Sequence, residues 1–456
     1  MLKYWRFLFL LCLFGACSKE ASVPYKHPVI QVLLVSDAVS SRASAYIDSN
    51  KIIETEKCVY FVYLDTDFNV ILQKFDKNTQ LLSEPFLIGN TYDNHGDPTI
   101  QIDDNGYIYV MYGGHANEIF LASTTVPYDI SNWKRECITV ENMILTYPVF
   151  KVVSNQLFLL LRTQEGGGKG DVLSFMVKDI NSVEWKRKAL FRGNHDKWVE
   201  NNETLYRMDG YNRFYANMNY SNGRIHVSFQ NLEYAPQKYS NVDEQGLNSC
   251  CIGYIYSDDW GDTWKNYTGR ELEKYPATPS DLDLVDGYPE PVEDKPQYFT
   301  SNLNIFNNSP VLMYHEMTKD VSRLIMSRLE GGKWSKHYID YNLFLKDLYV
   351  VQETSCSIDR TGNLYVLLTT VNKEDFFQTN RWGTPSSRLM YMVCDLQYNI
   401  LKLEPVLSED SELTWLPNLG KSNRENQFFI FMQGNNSSGN LEKVKNKLWF
   451  GWIGWE

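Results

Sequence analysis

Basic residues are in deficit in this 456-residue sequence, with 44 Lys and Arg against 56 Asp and Glu and a formal net charge of -12 at pH 7. A nucleic-acid partner is excluded, because binding one requires a basic face that displaces counterions. An anionic ligand would have to be met by local cations. No apolar run reaches the roughly 20 residues needed to cross a bilayer. Metal-type cysteine spacing is missing as well: beyond Cys12 and Cys17, the remaining Cys58, Cys137, Cys250, Cys251, Cys356 and Cys394 are scattered apart from one adjacent pair. The residues leave open a disulfide, or a structural metal ion held by a His with Cys250 or Cys251, and announce neither. Gly166 to Gly170 lacks the Lys-Ser/Thr ending of a phosphate loop and reads as a rim loop. No linker, low-complexity tract or charge block divides the chain.

What is there begins with an export signal. Lys3 and Arg6 precede an apolar stretch from Phe7, followed by Gly15-Ala16-Cys17. Leu-Phe-Gly-Ala-Cys resembles a bacterial lipoprotein signal, which implies lipidation at Cys17 and a cell-envelope location, with plain secretion as the alternative. The expected division is 1–16 signal, 17–28 tether and 29–456 a single propeller, membrane-bound through the lipid anchor only and monomeric.

Aromatic residues make up 14% of the chain, and one phrase recurs: a turn followed by a run of Val, Ile, Leu, Tyr and Phe. It appears after Glu56, Asn105, Asn155, Asn222, Asn308, Thr361 and Glu425. All-β repeats of this length bury their faces against one another, which predicts an all-β, seven-bladed β-propeller. The strand Val29 to Val35 leads in or closes the ring. Ser257-Asp-Asp-Trp-Gly-Asp-Thr-Trp264 matches the Asp-box of sialidase-like propellers. Its Ser257 and Asp259 are suited to satisfying turn donors while Trp264 plugs between strands, a structural role.

The chemistry gathers in two consecutive hairpins. Asn105-Gly106, between alternating runs, is a strong hairpin signal, and a turn centred there sets His95 against His115 at the open end. A second turn at Ser154-Asn155 sets Tyr147 against Arg162 at the equivalent end. Two imidazoles, a phenol and a guanidinium are thus expected together.

His95-Gly-Asp-Pro through Asp103 and Gly106 to His115, then Thr146-Tyr-Pro148 and Arg162, resembles the BNR-repeat polysaccharide lyases of the ulvan lyase and rhamnosyl-glucuronate lyase type. The segment between His115 and Tyr147 is shorter than that pattern suggests. The resemblance implies a seven-bladed propeller with catalytic His95, His115, Tyr147 and Arg162, acting by β-elimination on a uronic acid. Rhamnosyl-uronate linkages, as in ulvan or arabinogalactan, are its implied targets. It also implies an anionic polysaccharide partner and no cofactor required for catalysis.

The residue chemistry supports the same expectation. The proton beside a carboxylate becomes removable when that carboxylate is neutralised, and a guanidinium does this with a planar fork that keeps its charge. One such contact at ~4 Å and an effective dielectric near 20 contributes about 4 kcal/mol. Imidazoles exchange protons near neutrality. Arg213, opposite Leu232 in the hairpin turning at Asn222-Gly223, and Asn94 are further candidates for substrate binding. His226 alternates within a strand and reads as packed. His315, His337 and His195 lack sequence partners, although His195 could line a loop. The rival functions are a carbohydrate-binding propeller without catalysis and a sialidase-type hydrolase. The hydrolase needs three arginines and a Tyr/Glu nucleophile pair, a set that cannot be placed in this sequence.

Overall fold

The computed structural model describes residues 27–455 except 97, 116, 141, 166–171, 194–196, 201–202, 208–212, 235–246, 319–320, 343–344, 346–347, 352–353, 377–382, 396, 409–412, 422–425 and 435–438. For 165, 197–200, 203–207, 213–214, 233–234 and 247 it describes the backbone only. Cys17, His195 and the Gly166 to Gly170 loop lie outside the described residues.

Alternating apolar runs separated by turns pair with their sequence neighbours, and antiparallel pairing of near neighbours produces seven blades around one axis. The recurring phrases fall on the second strand of each blade: Cys58–Leu64, Ile108–Gly113, Gln156–Glu165, Arg224–Tyr234, Ser309–Met317, Leu364–Asn372 and Gln427–Gln433. Some positions are shared by two short strands. In the first blade Leu81–Leu82 and Phe86–Asn90 both pair with Asn69–Asp76, and in the sixth Leu348–Val350 and Ser355–Ile358 both pair with Leu364–Asn372. A separate ribbon, Lys197–Glu200 with Glu203–Arg207, was not anticipated from the sequence.

The ring is closed by its two ends. Pro28–Val39 pairs antiparallel with Asn446–Trp455 and becomes the outermost strand of the seventh blade. Apolar faces of adjacent blades meet in clusters such as Phe158, Phe175, Phe229 and Trp264 between blades three and four. The Asp-box performs the structural task expected of it. Ser257 Oγ donates to Asp259 Oδ1 at 2.8 Å, the Thr263 amide donates to the same oxygen at 2.9 Å, and Trp264 is fully buried with Nε1 donating to the Gly261 carbonyl.

From the closing strand the chain enters the centre of the ring. Residues 40–50 are buried except for the half-buried Arg42. This segment belongs to no strand, and its backbone groups are satisfied by its own turns and by exchanges with the surrounding inner strands. Asn302 of blade five donates to the Ile47 carbonyl at 2.8 Å, and Asn418 of blade seven donates to that of Ser49 at 3.2 Å. Ser44 Oγ donates to the Leu416 carbonyl at 2.7 Å, and Asn50 to that of Ile100 in blade two at 2.9 Å. The segment is therefore a plug, and it delivers Arg42 and Tyr46 to the end of the axis where the two hairpins open.

Candidate active site

The first hairpin has the expected register, with Thr99 facing Met111 and Ile102 facing Ile108. Past its last pair the Gly113 amide donates to the Gly96 carbonyl at 2.9 Å. Gly113 and Gly114 then take positive φ of 87° and 73°, and a Cβ on Gly113 would lie 2.4 Å from the Glu118 carbonyl oxygen. Only glycine fits such a turn, which brings His115 back over His95. Their rings stack at 4.1 Å with 14° between planes.

The second hairpin departs from its expected register. Val149 faces Leu160 as predicted, but a bulge follows, and Thr146, not Tyr147, lies opposite Arg162. Pro148 has no N–H to give to the ladder, and Tyr147 sits at φ 54°. The bulge releases Tyr147 from the ladder and turns its backbone toward the first hairpin, so that its amide donates to the Gly114 carbonyl at 3.0 Å. The pair still meets through side chains: the Arg162 guanidinium carbon lies 5.1 Å from the Tyr147 ring centroid.

Tyr147 is the hub. Its ring centroid lies 4.9 Å from that of Tyr46, 6.1 Å from His115, 6.3 Å from Tyr215 and 6.5 Å from His95. The four residues expected to be catalytic are thus gathered in one place, beside Tyr46, Tyr215, Asp93 and Arg42, which sequence reasoning missed. Asp93 is buried, and His115 Nδ1 donates to its Oδ2 at 2.6 Å while the His95 amide donates to Oδ1 at 2.9 Å. Its carboxyl is held well below the usual carboxylate range. Burial pushes the other way and is outweighed by the hydrogen bonds from His115 and His95. Arg42 Nη1 donates to His95 Nε2 at 2.5 Å and to Tyr46 Oη at 3.0 Å. The Tyr46 phenol is pushed far up, first by burial and then by neighbouring Tyr147.

These contacts give the two imidazoles different surroundings. A guanidinium has no acceptor, so His95 Nε2 is the acceptor and its proton sits on Nδ1, 3.6 Å from Asp93 Oδ1. His95 is pushed down to about 4, chiefly by burial, with Arg42 and His115 adding to the effect against the pull of Asp93. His115 spends its Nδ1 proton on Asp93, which leaves Nε2 as the position open to a ligand. Its side chain is 26% exposed against 7% for His95, so His115 is the imidazole that reaches solvent.

The other expected residues divide. Asn94 was expected to touch substrate, but its side chain is buried and its amide donates to Ser41 Oγ at 3.1 Å and to the Gly439 carbonyl at 3.4 Å. It fastens the first hairpin to the plug. The Arg213 backbone lies opposite Leu232 as expected, and its side chain lies outside the described part. Tyr215 is the residue of that strand seen at the site. His226 is buried between Ser221 and Tyr254, with Nδ1 2.6 Å from the Tyr254 hydroxyl. His315 is fully buried, and His337 packs on Tyr398 at 4.9 Å. Among the described residues, the group of ligand atoms close enough to share an ion is Asp93, His95 and His115. Cys250 and Cys251 are buried. The Arg42 guanidinium on His95 Nε2 opposes a cation there, so this donor set is a poor fit for a metal.

Residues 58–342 match the profile described as BNR repeat-containing family member. The chain belongs to that family. Among curated relatives it is 26% identical over 148 residues to an ulvan lyase of Alteromonas sp. (strain LOR), covering 27% of this chain and 30% of that protein. It is 38% identical over 61 residues to "Ulvan Lyase-PL25" of Pseudoalteromonas sp. (strain PLSV), covering 10% of this chain and 12% of that protein. The matched part is thus under a third of each relative's length. Over nearly the whole chain the fold is similar to that of a PL25 ulvan lyase solved bound to -[GlcA(1-4)Rha3S]-, with a TM-score of 0.66, 15% identity and 91% and 95% of the two chains covered. The polysaccharide lyase Uly1 superposes with a TM-score of 0.52 at 14% identity, covering 93% and 99%. This BNR-family chain therefore shares the seven-bladed propeller of those proteins.

Proposed function

We propose that the protein is a polysaccharide lyase that cleaves the bond to O4 of a uronic acid, glucuronate or iduronate, by β-elimination. The observation that carries this reading is the convergence of His115, Tyr147 and Arg162 at one open end of the ring, with His115 Nε2 left over after its Nδ1 is fixed by Asp93. In this reading Arg162 pairs with the C6 carboxylate and makes the C5 proton removable. The C5–H bond breaks, its electron pair forms the C4–C5 double bond, and the C4–O4 bond breaks with a proton delivered to O4. His115 and Tyr147 divide the roles of base at C5 and acid at O4. Asp93 orients His115, and burial with Arg42 holds His95 neutral beneath it. No cofactor enters these steps.

Relatives described as ulvan lyases support rhamnosyl-uronate linkages as targets. The signal ending at Cys17 supports a lipid-anchored envelope protein. The test is to incubate the purified chain with uronic-acid polysaccharides and follow ultraviolet absorbance. New absorbance from the unsaturated uronate is expected. Reducing ends without absorbance would mean a hydrolase, and binding without either would mean a non-catalytic module.

A further inference from the structure

A groove of about 780 Å³ leads from Asp93 and His115 outward between blades one and two. One wall is the last strand of blade one, Phe86–Asn90, and the other is the outer strand of blade two, Asp129–Ile138. Because it begins at His115, a polymer chain seated at the site has this groove as a path for the sugars next to the reacting uronate. Its volume suits one or two sugar rings on the general scale of ligand pockets.

The lining has a definite charge. Four carboxylates, Asp67, Asp93, Glu118 and Glu136, face it, and the basic residue among the lining is Arg135. Asp67 is met by Lys443 at 2.6 Å with both side chains more than half exposed, and Glu136 by the buried Lys178 at 2.5 Å. Neither lysine belongs to the lining, so both approach the carboxylates from outside it. Among the described residues no ion pair involves Glu118, which is exposed at the groove. Tyr92 is 68% exposed there. Carboxylates accept strong hydrogen bonds from hydroxyl groups, and an exposed ring offers a face to the C–H side of a sugar. An ester sulfate, by contrast, carries only acceptors and a fixed negative charge. Beside an uncompensated carboxylate it would weaken binding by about tenfold.

We propose that this groove is a subsite for uncharged sugar units flanking the uronate, and that the polymer taken by this protein is unsulfated there. The ligand in the structurally similar PL25 ulvan lyase carries Rha3S, so the two proteins would differ in the sugar beside the scissile bond. This inference rests on the lyase reading above.

The experiment uses the full chain with ulvan and with the same preparation chemically desulfated, and measures kcat/KM for unsaturated product at low and high salt. The desulfated polymer should be preferred by about tenfold or more at low salt, mostly through KM. The preference should shrink as salt screens the repulsion. Glu118→Lys should raise kcat/KM on the sulfated polymer and lower it on the desulfated one, and Tyr92→Ala should raise KM on the desulfated polymer. Equal or faster cleavage of native ulvan by the wild-type protein would overturn the subsite while leaving the lyase reading intact. No product from either polymer, by protein with an intact unfolding transition, would overturn the lyase reading and the subsite with it.

Discussion

His95 and His115 stack ring on ring at 4.1 Å, yet the Asp93 carboxylate and the Arg42 guanidinium occupy different nitrogens of the two rings. His95 is held at Nε2 by Arg42 beneath the site, and His115 keeps its Nε2 open.

That difference predicts different kinetics. His115→Gln is expected to lower kcat by on the order of 10² or more, as loss of a proton-transfer group does. Asp93→Asn should also lower kcat, because an amide can present its N–H to His115 and favour the wrong tautomer. His95→Gln, which keeps a donor and an acceptor, should retain more activity than His115→Gln. Steady-state rates of unsaturated-product formation for the three variants check this, and equal losses for His95→Gln and His115→Gln would count against separate roles.

Tyr147→Phe removes the ionisable group with almost no change in volume, so the unfolding transition should stay in place while turnover is largely lost. Arg162→Lys keeps the charge but exchanges a planar fork for a point contact and should also lose most activity. Because both act on one transition state, the double variant should lose much less than the two single losses multiplied together. Normal turnover in both single variants would place the chemistry elsewhere.

Acid stability follows from the buried imidazoles. Burial pushes His95 and His226 down from 6.5 to about 4 and His315 to about 3. Between pH 6.5 and those values the unfolded chain binds protons that the native chain does not, so stability falls as pH is lowered through that window. A depression of this size corresponds to about 3 kcal/mol per imidazole when fully realised. His315→Leu should flatten the fall in Tm between pH 7 and 4, since among the described residues neither ring nitrogen of His315 has a hydrogen-bond partner. Thermal melts across this range provide the measurement, and an unchanged slope would contradict the assignment.

If Cys17 carries lipid, Cys17→Ser should move the protein from the membrane fraction to the soluble one with activity on soluble polymer unchanged. Fractionation of expressing cells decides it, and a wild-type protein that is already wholly soluble would refute the anchor.

The second strands of all seven blades were legible because each announces itself locally, by a turn and an apolar run. That His95 and His115 lie together was legible from the Asn-Gly turn, although that register ends at Thr99 and Met111 and the stacking itself depends on the turn at Gly113 and Gly114. The one-residue slip at Arg162 has its sign in the sequence: Pro148 inside a strand marks a bulge, and the bulge at Tyr147 follows from it. Asp93 stood two residues from His95 without any pattern to mark it as a shared acceptor. Arg42 and Tyr46 had no local signal, because their contacts with His95 and Tyr147 span 49 residues or more and exist only once the ring has closed. Asn94 failed for the opposite reason, since a polar residue beside a site reads as a ligand until its burial is known.

The closing strand sets the moment at which the site can exist. Pro28–Val39 finds its partner in Asn446–Trp455, and the plug that follows it brings Arg42 and Tyr46 into place. During synthesis the two hairpins bearing His95, His115, Tyr147 and Arg162 can form before Asn446–Trp455 is made, while the strand that seats the plug waits for it. Newly made chains would therefore remain inactive until that strand has emerged, and an activity assay would report closed molecules alone.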